Sequence, residues 1–277
     1  MSKVWFITGC SKGFGRVLSE ELLTKTDSLV VATARDASTL DELKEKYDDR
    51  VLTLTLDVKN ADHIKDAVEK TLQKFSRIDV LVNNAGYGLG GALEECSMPS
   101  IRNIFDVNVF GLIEMTKAVL PSMRSQNYEH LFNMSSIAGL TATAGMGIYN
   151  STKYAVEGLS EALAHDVKTF GIKVTIIEPG PFRTDFLGAS LELAPSLPAY
   201  EGTAIDQTRN YCKQSNHQQN GDPLKAAQIM IQLAAMENPP LRMPLGNIAM
   251  DRIHVKLEAL KEELTKFEEL SRSADYC

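Results

Sequence analysis

Cysteine is scarce in this chain and unpatterned: Cys10, Cys96, Cys212 and Cys277 contain no Cys-x-x-Cys, which excludes a disulfide-stapled scaffold and describes a reduced, intracellular protein. The five histidines, at 63, 130, 165, 217 and 254, lack metal-ligand spacing, so no metal site is expected. Positive charge is also short. The formal net charge is -7 and no block of Lys or Arg offsets it, which argues against a nucleic-acid partner. No apolar run has the length of a membrane span. The run at Val4, with Trp5 and Phe6, is brief and lacks a small-residue cleavage site, so it reads as a buried first strand and not a signal peptide. Repeats and low-complexity tracts are missing. A cytoplasmic location is the resulting expectation.

What remains is a globular composition, 44% hydrophobic and 23% charged over 277 residues, at the upper end of what one core can serve; residues 1–277 are expected to form one domain. Short apolar runs at Val4–Thr8, Leu29–Ala34, Val51–Thr55, Asp79–Val82, His130–Met134 and Val174–Ile177 alternate with longer amphipathic stretches. Such alternation predicts an α/β fold: a doubly wound parallel sheet of about seven strands, buried by helices on both faces. Near 152–170, Val156, Leu159, Leu163, Val167 and Phe170 recur at helical spacing, and Gly171 is placed to end the helix. From about 181 to 222 the periodicity fades around Pro195 and Pro198, as in a substrate lid (about 185–222) or a disordered segment. A final helix is predicted over about 248–271, with Ile253, Leu257, Leu260, Leu264, Phe267 and Leu270 on one stripe. Both signs of charge cover its other face, so packing on the body or on another subunit outweighs membrane attachment.

Three glycines, Gly9, Gly13 and Gly15, follow the first predicted strand and open a predicted helix containing Val17, Leu18 and Leu22. In that context glycine permits a tight turn and close approach of backbone N–H groups to a pyrophosphate, favoured by the helix N-terminus; a plain structural turn is the alternative. Downstream, Tyr149 and Lys153 stand four apart at the start of a helix, on one face, with Ser136 thirteen residues before the tyrosine. A phenol, an ammonium and a hydroxyl beside a dinucleotide loop point to redox chemistry on a carbonyl or alcohol. A Tyr-x-x-x-Lys spacing alone arises readily by chance in a chain of this size.

The order of features is more specific. Thr8-Gly9-x-x-x-Gly13-x-Gly15, Asp57 in Leu56-Asp57-Val58, Asn83-Asn84-Ala85-Gly86, Asn108, Ser136, Tyr149 with Lys153, and Pro179-Gly180 followed by Thr184 together resemble the short-chain dehydrogenase/reductase family. The resemblance runs from residue 3 to about 185, with a helix and strand near 223–245 also fitting. It implies a Rossmann-type fold and a nicotinamide cofactor held by Gly9, Ser11, Lys12, Gly13, Phe14, Gly15, Arg35, Asp57, Val58, Asn84, Ala85, Gly86, Tyr149, Lys153, Pro179, Gly180, Phe182 and Thr184. Catalytic roles fall by the same resemblance on Tyr149 as general acid in reduction and base in oxidation, and on Ser136 polarising the substrate oxygen. Lys153 would bind the nicotinamide ribose and lower the tyrosine pKa, and Asn108 would hold a water in a proton relay. Taken singly, Ser136 and Asn108 read equally as local structural polar groups, and Thr184 as a helix N-cap.

The end of the second strand sets cofactor choice in such folds, a carboxylate there favouring a free ribose 2′-hydroxyl and an arginine a 2′-phosphate. The chain reads Thr33-Ala34-Arg35-Asp36, and Lys12 offers a second cation, so NADP(H) is expected; the alternative is that Asp36 turns to the ribose while Lys12 and Arg35 are solvated. The stretches Tyr149 to Glu161 and Ile177 to Thr184 resemble the 17β-hydroxysteroid dehydrogenase-like branch, implying a small hydrophobic carbonyl or alcohol substrate. Phe186, Leu187, Leu191, Leu193 and Leu197 suit such a pocket or a core equally. The resemblance thus implies an NADPH-dependent carbonyl reductase, reversible as a dehydrogenase, working as a homodimer or homotetramer. An NAD-dependent alcohol or sugar dehydrogenase, and a non-catalytic NADP-sensing protein, are the alternatives.

Overall fold

The computed structural model describes residues 2–126 and 129–276; Met1 and Cys277, both part of the reading above, lie outside the described residues, as do Asn127 and Tyr128. The chain runs β1 (Val4–Ile7), α1 (Gly13–Lys25), β2 (Leu29–Ala34), α2 (Asp41–Tyr47), β3 (Val51–Thr55), α3 (Ala61–Phe75), β4 (Val80–Asn83) and β5 (Gly88–Gly90). It continues through α4 (Met98–Phe105), a π-helical turn (Asp106–Phe110), α5 (Gly111–Arg124), β6 (His130–Met134), α6 (Gly147–Val167) and β7 (Lys173–Pro179). The remaining elements are β8 (Leu191–Leu193), α7 (Ala204–Gln214), α8 (Pro223–Ala235), β9 (Arg242–Leu245) and α9 (Asn247–Arg272).

Seven strands form one sheet in the order β3-β2-β1-β4-β6-β7-β9, each pairing parallel. The central strands β1, β4 and β6 are buried on both faces, which is why they read as nearly continuous apolar runs, whereas the edge strands β3 and β9 are partly exposed. Trp5, Leu22, Phe132, Met230 and Leu233 form the core on the face covered by α1, α2 and α8, and Phe6, Leu131, Met115 and Val119 that on the face covered by α3, α5 and α6. The doubly wound parallel fold is therefore as the sequence implied. Local signals set the helix ends. Asn60 caps α3 by accepting from the N–H groups of Asp62 and His63 at 2.9 and 3.2 Å, and Gly171 closes the helical segment at φ +74°.

Strand order reverses between β1 and β4, both leaving the sheet at the same edge of a crevice, the position where open α/β sheets bind ligands. Two segments depart from the sequence reading. Residues 185–222 are not irregular: they contain β8, which pairs in parallel with β5, and the eleven-residue α7. α7 buries only Arg209 and Cys212, so it has no apolar stripe to betray it. The last helix forms over nearly its expected range, but among its residues only Ala249 is buried, and the stripe from Leu257 onward faces outward, so of its two expected placements packing on the body is not the one seen.

Candidate active site

The glycine turn after β1 is shaped for close approach. Gly9 and Gly13 adopt φ of +73° and +62°, and a Cβ at Gly15 would meet the Gly9 carbonyl oxygen at 2.5 Å. Asn84, beyond β4, locks this turn by donating its Nδ2 to the carbonyls of Thr8 and Gly9 at 2.8 and 3.0 Å. Thr8 Oγ1 in turn accepts from the backbone N–H groups of Asn84 and Ala85, both at 2.9 Å. Asn84 therefore braces the loop as well as lining the space beside it.

That space is a cavity of about 640 Å³. It is lined by every residue the sequence assigned to cofactor or catalysis except Gly15 and Asn108, which lie behind it. Lys12 and Arg35 border it at the α1 end, and among the described residues neither makes an ion pair. Asp36 does not turn inward: its Oδ1 accepts from Ser38 N and Ser38 Oγ at 3.0 and 2.7 Å. A turn with three glycines at the start of α1, facing a crevice bordered by two cations, fits a dinucleotide.

At the other end Ser136, Tyr149 and Lys153 line the same wall. Ser136 lies two residues beyond β6 and caps the next turn, its Oγ accepting from Ala138 N at 3.1 Å. Lys153 is 7% exposed; its Nζ donates to the Met134 carbonyl at 2.7 Å and lies 5.8 Å from the centre of the Tyr149 ring. Burial pushes the Tyr149 phenol up to about 12, partly opposed by Ser136, and pushes the Lys153 ammonium down to about 8, partly opposed by Glu157. Burial, not the lysine charge, thus dominates the phenol, because the ammonium sits over the ring face and is engaged by a carbonyl. Asn108, in the π-helical turn, accepts from Tyr87 N through Oδ1 at 3.0 Å and donates through Nδ2 to Tyr87 O and Thr152 Oγ1 at 2.9 and 3.2 Å. A Cβ on Gly86 would lie 3.0 Å from Asn108 Oδ1 and 3.8 Å from Lys153 Nζ, so that glycine keeps the amide and ammonium within one small space.

Sequence reasoning missed what stands behind the lysine. Glu157, Glu178 and Arg242 meet from α6, β7 and β9, with Arg242 Nε 3.4 Å from Glu157 and 3.7 Å from Glu178. Both carboxylates are buried without hydrogen-bond partners; burial raises Glu157 and holds Glu178 up to about 8. The signal available was Tyr149, Lys153 and Glu157 at successive steps of four on one helix face. Also missed was the buried pair of Glu95 and Arg209, 2.8 Å apart, which fastens α7 to the loop after β5.

The roof is apolar. The Phe186 and Tyr149 ring centres are 5.4 Å apart, and Leu187 and Leu191 line the cavity whereas Leu193 and Leu197 do not. Thr184 is 9% exposed and caps a short turn by accepting from Phe186 N at 3.3 Å, as its N-cap reading expects, while also bordering the cavity. Among the described residues no cluster of His, Cys, Asp and Glu could hold a metal ion, Cys10, Cys96 and Cys212 are buried free thiols, and no helix is long and apolar enough to cross a membrane.

Comparison with known proteins identifies the family and the fold. Residues 3–192 match the model of the short chain dehydrogenase family. Oxidoreductase BOA17 of Botryotinia fuckeliana is 36% identical over 272 residues, covering 98% of each chain. A 3-ketodihydrosphingosine reductase of Bacteroides thetaiotaomicron is 35% identical over 245 residues, 88% of each chain. Among solved structures, a short-chain dehydrogenase from Streptomyces avermitilis superposes with a TM-score of 0.92 at 39% identity, over 99% of this chain and 100% of that one. A short-chain dehydrogenase/reductase from Burkholderia phymatum in complex with NAD (TM-score 0.82, 25% identity, 95% of each chain) is similar too. So is ElxO with NADP bound (TM-score 0.74, 26% identity, 91% of this chain and 100% of that one).

Proposed function

The chain belongs to the short-chain dehydrogenase family, and on that premise we propose that this oxidoreductase reduces a hydrophobic ketone or aldehyde with NADPH, reversibly. The observation that carries the reading is one cavity bordered by the glycine turn at one end and by Ser136, Tyr149 and Lys153 at the other. A bound nicotinamide dinucleotide supplies or accepts the hydride. Lys12 and Arg35 would receive a 2′-phosphate, Asp57 and Val58 would border the adenine side, and Thr184 would orient the carboxamide.

The protein's own part is to place a carbonyl and handle its proton. Ser136 Oγ donates to the carbonyl oxygen and holds the charge that grows there. Tyr149 donates its phenolic proton to that oxygen; with its pKa held up to about 12, the phenol stays protonated at neutral pH and is ready as an acid. Lys153, charged below about pH 8, stabilises the phenolate left behind. Asn108 holds the loop at Tyr87 in position next to the lysine.

The residues 185–222 act as a substrate lid in this reading, presenting Phe186, Leu187 and Leu191 to the substrate. Their apolar character, and the ketosphingoid substrate in the name of one relative, favour a long-chain or polycyclic carbonyl over a sugar. The engagement of Asp36 Oδ1 by Ser38 supports this reading over the NAD-dependent alternative, which would use that carboxylate on the ribose. The cytoplasm, with its NADPH, is the fitting compartment. The deciding test is absorbance at the nicotinamide band across a panel of apolar ketones, aldehydes, alcohols and sugars with NADPH and NADH. Turnover of apolar ketones with NADPH is expected; turnover of sugars with NADH alone would overturn the reading.

A further inference from the structure

The long last helix, α9, carries an apolar seam that nothing in the described chain covers. At 1.5 Å per residue its 26 residues extend about 39 Å, and every described residue from His254 onward is exposed. Met250, Ile253, Leu257, Leu260, Leu264 and Phe267 follow one another in steps of three and four, the heptad seam of a two-stranded coiled coil. Leu257, Leu260, Leu264 and Phe267 are 56, 41, 63 and 48% exposed, a cost in water unless a partner covers them.

The charges beside the seam select the partner and its direction. Lys256 and Glu263 flank one side; His254, Lys261 and Glu268 flank the other. Two copies side by side in parallel would set Lys256 against Lys261 and Glu263 against Glu268, like on like each time. Turned antiparallel with Leu257 opposite Leu260, two copies place Ile253 on Leu264 and Met250 on Phe267, and Lys256 falls beside Glu263. The two-fold axis repeats each of these contacts. Met250 is 41% exposed, so the seam stays open to a partner at the end nearest the body. A lipid surface fits less well: from Asp251 to Arg272 the helix carries six carboxylates against five Lys and Arg, and so lacks the basic face that anionic headgroups attract.

We propose that α9 is a dimerisation helix whose occupant is α9 of a second copy of this chain, paired antiparallel with Leu257 opposite Leu260. This goes beyond the catalytic reading and does not depend on it, since no seam residue borders the cavity. The test is sedimentation velocity on the full chain. L257D/L264D should halve the mass of the assembly while leaving the circular dichroism and nicotinamide-cofactor binding unchanged. K256E and E263K should each weaken association several-fold, and K256E/E263K should restore it, which also guards against a variant that merely misfolds. An unchanged mass in L257D/L264D overturns the proposal. So does tighter association in K256E, the signature of parallel pairing. Sedimentation of the wild type with phosphatidylserine vesicles, lost in L257D/L264D without any change in mass, would assign the seam to a membrane and overturn it as well.

Discussion

The floor and the roof of the cavity are built on opposite principles. The floor hangs from the ends of parallel strands whose backbones are mutually paired, and its polar side chains are tied to neighbouring carbonyls, as Asn84 is to Thr8 and Gly9 and Lys153 is to Met134. The roof reaches over from residues 185–222 and is fastened by a three-residue strand pair, by Glu95 and Arg209, and by apolar contacts such as Phe186 on Tyr149. Rigid placement suits proton handling, where a small displacement is costly. Loose fastening suits a surface that has to admit and enclose substrates. The floor should therefore govern turnover, and the roof should govern which substrate is bound and how tightly.

The sharpest way to break that division begins on the floor. Tyr149→Phe removes the acid without changing the shape of the ring, and kcat for ketone reduction should fall by about 10³-fold with cofactor binding intact. A turnover near wild type would end the proton-transfer assignment. On the roof, Arg209→Met leaves the buried Glu95 carboxylate without its counter-charge, held only by the backbone N–H groups of Ala92 and Leu197, a loss of up to about 3 kcal/mol felt as local opening of α7. Amide exchange should accelerate across 194–214 and KM for the substrate should rise more than kcat falls. Equal exchange in both proteins would show that the pair does not hold the roof.

Arg35→Ala tests the cofactor end of the floor: the KM for NADPH should rise about tenfold or more and that for NADH far less, as expected when a guanidinium–phosphate contact is lost. Parallel rises would remove the basis for NADP(H). The smallest effect is expected at Glu157. Its carboxylate opposes the burial that pulls Lys153 down to about 8, so Glu157→Gln should lower the lysine pKa further. Lys153 is charged below its pKa and loses that charge as pH rises through it. The alkaline limb of kcat/KM should accordingly move to lower pH in the variant, while the acid side is set elsewhere. A limb that stays in place would detach Glu157 from the lysine.

Legibility in the sequence follows the same divide. β2, β3 and β6 appear residue for residue as mainly apolar runs, because strands in the middle of a covered sheet bury both faces and those at its edge still bury one. The glycine turn and the Tyr149/Lys153 step were visible because each is local in sequence. α7 was not, since its hold on the fold is a buried ion pair to a residue more than a hundred positions away and not an apolar stripe. β5, Gly88-Leu89-Gly90, lacks the length and branched side chains of a recognisable strand. The Glu157, Glu178 and Arg242 cluster exists only once three separate elements have met.

The contact of Phe186 with Tyr149 has a consequence for timing. The phenol is a weak acid here because it is enclosed, and part of the enclosure belongs to the roof. Any motion that withdraws Phe186 brings water to the hydroxyl and returns its affinity for the proton toward that of free tyrosine. On the proposed reading, the residue that would give the proton and the segment that would admit the substrate form a single latch: closing it would keep the proton in reserve for the captured molecule and out of reach of the solvent.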